Sequence, residues 1–466
     1  MADRRPPRPG KAKTSRTGTA APRGTQPRRT PVDPARFVAW QLLRAVQEKD
    51  AYANLVMPGL LADRGLSGRD AGLATEIGYG TLRAQGTLDA VLARCVDRSM
   101  DTVQPGVRDV LRLGAYQVLR TRIPAHAAVA TSVDLAHATQ NGRAGGFVNA
   151  VLRKVTAHDW QGWTDELASE ATPIAALAVR TSHPEWIVEA FVDALDGDLV
   201  EAGRALQADD ERPLTHLVAW PGRSTREELL AEGDGAAGPY SPFAVRLAAG
   251  EPAALAAVRE RRAGVQDEGS QLCALAFAAA PIEGRDELWL DACAGPGGKA
   301  ALLAALAAER GAVLSANERR AHRADLVRRV TSAWGVEVTV SDARELPRPG
   351  GGYDRVLVDA PCSGLGALRR RPEARWRRSP GDVADLVEIQ RDLLAAALRL
   401  TRPGGVVAYV TCSPHLAETR DVVAGQNLID ARPLFPGVPE LGDGPTVQLW
   451  PHRHGTDAMF CALIRR

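Results

Sequence analysis

The chain has 466 residues, 45 % of them hydrophobic and 24 % charged, a globular composition that at roughly 100–200 residues per domain calls for several domains. No apolar run approaches the roughly 18 residues of a membrane span, and the Pro- and Arg-rich N-terminus lacks the apolar core of a secretion signal, so a cytoplasmic protein with no membrane partner is expected. The six cysteines, Cys95, Cys273, Cys293, Cys362, Cys412 and Cys461, have no Cys-x-x-Cys spacing, which argues against a disulfide framework or zinc knuckle and for free thiols without metal. The net charge of +2 hides an asymmetry, because nine Lys and Arg face Asp3 alone in the first thirty residues. A basic arm on an acidic body suits a polyanionic partner met by local patches.

Residues 1–33 are rich in Pro, Gly, Thr and Arg and poor in large apolar side chains, so they read as a disordered arm. Residues 34–160 repeat apolar side chains at helical spacing, as in Phe37, Trp40, Leu43 and Val46 or Val110, Leu113 and Tyr116, and predict an all-α domain. Residues 161–263 carry a helix over Glu185–Leu195 and a strand over Leu214–Trp220, which predicts a small α/β connecting domain. From 264 to 466, short apolar runs at Leu288–Leu290, Val313–Ala316, Val336–Val340, Val356–Val358 and Val406–Val410 alternate with helical stretches. That alternation predicts a doubly wound, Rossmann-like parallel sheet.

The first of these strands ends in Asp291-Ala292-Cys293-Ala294-Gly295-Pro296-Gly297-Gly298-Lys299 and runs into an Ala/Leu helix. Glycines there let a ligand approach the backbone at a helix N-terminus. The next strand ends in Glu318, placed to accept both hydroxyls of a ribose. Asp342 and Asp359 close further strands, so the three carboxylates are expected in one crevice at the carboxyl ends of the sheet. Gly295–Ala300 also satisfies a loose G-x-G-x-x-A, which keeps a nicotinamide enzyme open, whereas Ala300 after Lys299 disfavours a phosphate-binding Walker loop.

Two cysteines close strands beside that crevice, Cys362 in Pro361-Cys362-Ser363 and Cys412 in Thr411-Cys412-Ser413. A thiolate in that position can add to an electron-poor ring if nearby positive charge lowers its pKa. Arg369, Arg370, Arg371, Arg375, Arg377 and Arg378 surround Trp376, a pattern suited to single-stranded nucleic acid through phosphate forks and a stacking face. His452 and His454 lack a matching ligand cluster and are expected to serve as hydrogen-bonding groups.

The Cys293–Lys299 loop, Asp359-Ala360-Pro361-Cys362-Ser363-Gly364 with its arginine-rich extension, Thr411-Cys412-Ser413 followed by Glu418, and Pro451–Asp457 together resemble the RNA 5-methylcytosine methyltransferases of the Nol/Nop/Sun group. Val265–Leu272 resembles that family's segment before the first strand. Leu113–Gln117, Ile123–Val129 and Gly146–Lys154 resemble the NusB-type RNA-binding domain, a combination similar to bacterial 16S rRNA cytosine methyltransferases of the RsmB type. Thr215-His216-Leu217 stands where the family has Arg-Val-Asn, and Glu418-Thr419 where it has an acidic residue followed by Asn.

The resemblance implies S-adenosyl-L-methionine bound by residues 293–299 with Glu318, Arg323, Asp342 and Asp359, and a monomer acting on a single-stranded or loop cytosine of rRNA. It implies Cys412 as nucleophile at carbon 6, Cys362 as the thiol assisting elimination, and Asp359 at ring nitrogen 3. DNA cytosine methyltransferases use the Pro-Cys thiol instead, so the residues by themselves leave that choice open. A tRNA cytosine methyltransferase and a non-catalytic NusB-like RNA-binding factor are the alternatives.

Overall fold

The computed structural model describes Met1 and residues 32–49, 51–140, 144–248 and 250–466. The basic arm read over residues 1–33 therefore falls outside the described residues except at its ends. The first helix, Pro34–Glu48, starts where proline presets the backbone and Asp33 Oδ1 accepts the Arg36 amide at 2.9 Å. It packs with the helices Gly68–Arg83, Gln85–Cys95, Pro105–Arg120, Ala125–Thr139 and Gly145–Val155 around Leu42, Leu43, Ile77, Leu88, Leu111 and Leu113. The helix Trp160–Ala168 sends Trp163 into the same core, whose indole N–H donates to Val155 O at 2.9 Å. The helical unit therefore extends past residue 160, the boundary expected from sequence.

The segment 161–263 is not one domain. Its helices Pro173–Thr181, Glu185–Ala194 and Leu199–Ala208 share a core with Leu365, Leu368 and Trp450 of the C-terminal part. Its strands β1 (Thr215–Ala219), β2 (Gly235–Ala237), β3 (Ala244–Leu247) and β4 (Ala263–Val265) form an antiparallel sheet in the order β2-β3-β1-β4. Since β4 pairs with β1, the expected boundary at 263/264 cuts through a strand. His216 in β1 is buried, with Nδ1 accepting the Glu268 amide at 3.0 Å, so the Thr-His-Leu departure holds the fold at this point.

The C-terminal sheet contains β5 (Leu288–Asp291), β6 (Val313–Asn317), β7 (Glu337–Thr339), β8 (Tyr353–Asp359), β9 (Thr401–Thr411), β10 (Leu428–Ile429), β11 (Val447–Gln448) and β12 (Phe460–Arg465). The order is β10-β12-β9-β8-β5-β6-β7, with β11 paired to β12. Strands β5 to β9 are parallel, whereas β12 is antiparallel to β9 and β10, so the sheet is mixed where a purely parallel one was expected. Chain order reverses direction between β5 and β8. Open α/β sheets bind ligands at such a switch, outside the carboxyl ends of the strands. Among the described residues, no helix is long and apolar enough to cross a membrane.

Candidate active site

Strand β5 delivers Asp291 to the switch point, and the turn after it is sewn to both neighbours. Ala292 donates to Leu357 O and Ala294 to Asn317 O, each at 2.9 Å. Gly297 has φ +117°, and a Cβ there would lie 2.4 Å from Val330 Cγ2, so both conformation and space demand glycine. The helix Gly298–Glu309 then starts beside Gln266, with ordinary van der Waals room over Gly298. Asp291 is fully buried, its Oδ2 has no hydrogen-bond partner, and burial with the nearby Asp359 charge pushes its carboxyl up to about 7.

Burial and the charges of Asp291, Asp359, Glu318 and Asp342 all raise the Cys293 thiol above its ordinary value. Glu318 lies against the glycine loop, its Oε1 accepting the Arg320 amide at 2.9 Å. Arg323 donates to Gly295 O and stands 3.7 Å from Glu318 Oε2, so it braces that carboxylate on the loop. Asp342 accepts the fork of Arg344, at 3.0 Å from Nε and 2.8 Å from Nη2, which holds its carboxyl down near about 2.

Strands β8 and β9 run parallel with Asp359 opposite Val410, so Cys362 and Cys412 emerge together from the same sheet end. Their sulfurs are 3.5 Å apart. Lys299 Nζ pairs with Asp359 Oδ2 at 2.9 Å. Burial opposes the lysine charge, but Asp359, with Cys273 and Cys412, outweighs it and raises the ammonium above its ordinary value. The hydrogen bond from Cys362 pulls Cys412 below the usual thiol value, and Arg371 and Lys299 act in the same direction against burial and Asp359. Cys362 moves the opposite way through its bond to Cys412, through burial and through the charge of Glu418.

The arginine run does not form one open nucleic-acid face. Arg375 is fully buried, donating to Arg83 O at 2.9 Å, Asp209 O at 3.0 Å and Asp210 Oδ1 at 2.7 Å. Arg369 is buried on Asp457 and Gly455, and Arg370 reaches Asp267 Oδ1 at 2.7 Å and Asp457 Oδ1 at 2.9 Å. Buried carboxylates and carbonyls need donors, and these guanidiniums supply them. Arg377 donates to Val46 O and Ala51 O at 2.6 and 2.7 Å, pinning the helical domain. Trp376 packs over Gly86, where a Cβ would lie 2.4 Å from the indole, and remains 37 % exposed. Arg371 stays exposed, 5.2 Å from the Tyr52 ring centroid at the mouth of the site.

His452 Nε2 meets Glu201 Oε1 at 2.7 Å, while His454 accepts the Trp450 amide and donates to Pro439 O, both at 2.8 Å. Both serve as hydrogen-bonding groups, as expected. Sequence reasoning gave no role to Glu418, whose buried carboxylate accepts from Ser363 and Ser413. The available signals were its place after the Thr411-Cys412-Ser413 motif and the serine that follows each cysteine.

A model of the family described as 16S rRNA methyltransferase RsmB/F matches residues 278–465, and a NusB family model matches residues 33–157. The chain is 55 % identical over 454 residues to the protein Rv1407 of Mycobacterium tuberculosis strain H37Rv, across 96 % of this chain and 99 % of that protein. It is 32 % identical over 443 residues to ribosomal RNA small subunit methyltransferase B of Salmonella typhi, across 92 % and 98 % of the two chains. The fold is similar to that of PH0851, with a TM-score of 0.76 at 21 % identity over 94 % of this chain and all of the other. It is also similar to NSun6 from Pyrococcus horikoshii solved with SFG, with a TM-score of 0.52 at 21 % identity over 60 % of this chain and 98 % of that one. With two cysteines facing each other beyond the ends of β8 and β9, and 55 % and 32 % identity to these Mycobacterium and Salmonella proteins over nearly their whole lengths, the chain belongs to the RsmB/F methyltransferase family and carries a NusB-type helical domain before its catalytic sheet.

Proposed function

We propose that this protein methylates carbon 5 of a cytosine in 16S rRNA, using S-adenosyl-L-methionine and a covalent Cys412 adduct. The pair of sulfurs 3.5 Å apart beside the Lys299–Asp359 ion pair carries the reading. Nicotinamide chemistry has no use for two strand-end thiols, and a passive RNA-binding factor has no use for a thiol held toward its thiolate form.

The crevice suits the cofactor. The backbone at Gly297 and Gly298 permits close approach, Glu318 stands where a ribose would lie, and Asp291 Oδ2 is a buried acceptor without a protein donor. Bound there, S-adenosyl-L-methionine supplies an electrophilic methyl group. Cys412 adds to carbon 6 of the base, which makes carbon 5 nucleophilic toward that methyl. As Cys412 adds, a proton from the Lys299–Asp359 pair passes to ring nitrogen 3, whose N–H then donates to Asp359 and stabilises the adduct. The carbon-5 proton is then lost to water and Cys412 leaves as the thiolate, with the Cys362 thiol hydrogen-bonding its departing sulfur, which restores the ring. The target must leave its stack to reach the sulfur, so a single-stranded or loop cytosine is the substrate.

Tritium transfer from labelled S-adenosyl-L-methionine into purified 16S rRNA and tRNA, followed by bisulfite sequencing, tests this function. The expected result is label in 16S rRNA at a cytosine that resists conversion. Label in tRNA alone would move the substrate class, and absence of label in either RNA would overturn the proposal.

A further inference from the structure

Cys362 and Cys412 sit on different loops, and each is followed by a serine. Both serines turn away from the substrate side toward one carboxylate. Glu418 Oε1 accepts the Ser363 amide at 2.7 Å and Gln390 Nε2 at 3.1 Å, while Oε2 accepts the hydroxyls of Ser413, at 2.7 Å, and Ser363. The two hydroxyl oxygens are themselves 3.1 Å apart. Tyr409 completes the grip by donating its hydroxyl to Glu418 O at 2.8 Å. Glu418 is fully buried, and among the described residues no Lys, Arg or His nitrogen forms an ion pair with it. A buried carboxylate held by neutral donors alone is costly, and a fold serving only packing would place an apolar side chain there.

The charges around the two sulfurs are arranged with opposite signs. The hydrogen bond from Cys362, with Arg371 and Lys299, lowers Cys412 against burial and Asp359; its bond to Cys412, burial and the Glu418 charge raise Cys362, and the Tyr409 hydroxyl lies near Cys362 and Glu418. A negative group behind one thiol and cations beside the other polarise a proton shared between them.

We propose that Glu418 is the positioning residue of the cysteine pair: its carboxylate clamps the two loops so that the sulfurs of Cys362 and Cys412 face each other closely enough to share a proton. The proposal rests on the methyltransferase reading for its purpose. Its test does not, because it is read on the thiols of the full-length protein without RNA or cofactor.

The experiment is alkylation by iodoacetamide between about pH 6 and about pH 9, with the modified cysteine identified by peptide mass and folding checked by thermal melting. In the parent protein Cys412 should be labelled first, with Cys362 lagging. Glu418→Gln keeps the shape, removes the charge and turns one acceptor into a donor. It should slow Cys412 labelling near pH 6 by roughly tenfold, the effect of about one pKa unit, and bring Cys362 closer to it. Glu418→Asp should recover part of the preference, which a simple packing defect would not. If Glu418→Gln fails to fold, the Ser363→Ala and Ser413→Ala variants test the same clamp and should move the labelling in the same direction. A folded Glu418→Gln protein with an unchanged labelling profile would overturn the proposal, as would unchanged profiles in both serine variants. Failure of the parent protein to methylate any RNA, with the labelling shift intact, would count against the methyltransferase reading and leave the clamp standing.

Discussion

Lys299 Nζ lies 2.9 Å from Asp359 Oδ2, an ion pair that ties the helix of the glycine loop to the end of β8. The lysine is almost completely buried, so its charge is compensated by this carboxylate in place of water. Removing one member of such a pair strands the other, at a cost of about 3 kcal/mol. Lys299→Met should therefore lower the midpoint of urea unfolding and abolish methyl transfer, whereas an exposed change such as Glu189→Ala should leave both within error. An unchanged unfolding midpoint in Lys299→Met would remove the pair from the account.

Glu318, proposed to meet the ribose of the cofactor, is held by the Arg320 amide and lies against Gly295. A charge-assisted hydrogen bond is worth about 1.5–3 kcal/mol, so Glu318→Ala should weaken S-adenosyl-L-methionine binding by roughly ten- to a hundredfold. Calorimetry on the folded variant measures this directly, and unchanged affinity would withdraw the assignment. Asp342, held in the fork of Arg344, has fewer free acceptor positions and should contribute less.

Asp291 gives a pH dependence with a definite sign. Its folded carboxyl titrates at about 7 because it is buried beside Asp359, whereas the unfolded group titrates near the ordinary ~3.9. Between those values the folded state holds a proton that the unfolded state has released, so this group's contribution to stability falls as pH rises from about 4 to about 7. Asp291→Asn should remove that fall and stabilise the cofactor-free protein near pH 8 by as much as about 4 kcal/mol, an upper bound from the full shift. Urea unfolding near pH 5 and near pH 8 checks it. Equal pH dependence in the two proteins would contradict the assigned titration.

The sheet and its glycine loop were legible in the sequence because they depend on local pattern. Apolar runs such as Val356–Val358 sit inside the observed strand β8, and only glycine tolerates the turn at Gly297. The arginine run was misread because composition reports charge and not exposure. Arg369 and Arg375 find their carboxylates at Asp457 and Asp210, about 90 and 165 residues away in sequence, which no local window contains. Glu418 was noted only as part of the Cys412 motif, and its role escaped for the same reason, since its partners on the β8 loop lie 55 residues upstream. Strand β2, Gly235–Ala237, offered no alternation to detect, because its small side chains pair through backbone alone.

Two arginines of that run should now behave differently. Arg375 is fully buried among the helical domain, the connecting helices and the catalytic loop, so Arg375→Ala should destabilise the protein by about 3–5 kcal/mol. Limited proteolysis should then cleave between the helical and catalytic parts. Arg371 is exposed and acts on Cys412, so Arg371→Ala should leave stability within about 0.5 kcal/mol while slowing methyl transfer. Equal melting temperatures for the two variants would show that the buried guanidinium is not the clamp.

The two sulfurs should separate cleanly in a trapping experiment, because the proposed roles place them at different points of the reaction. With Cys412 forming the bond to carbon 6, Cys412→Ala can neither add to the base nor transfer the methyl group. With Cys362 acting at elimination, Cys362→Ala still adds and transfers, then stalls with RNA attached. The observable is a protein–RNA adduct that survives denaturing electrophoresis, abundant for Cys362→Ala and absent for Cys412→Ala and for the double variant. Loss of a thiol at a partly exposed strand end removes little packing, so all three proteins should melt close to the parent. The local chemistry favours this outcome, since the hydrogen bond from Cys362, with Arg371 and Lys299, lowers Cys412 while the bond to Cys412 and burial, with the Glu418 charge adding, raise Cys362. An adduct that depends on Cys362 and persists in Cys412→Ala would exchange the two roles and leave the polarity of the site without a purpose.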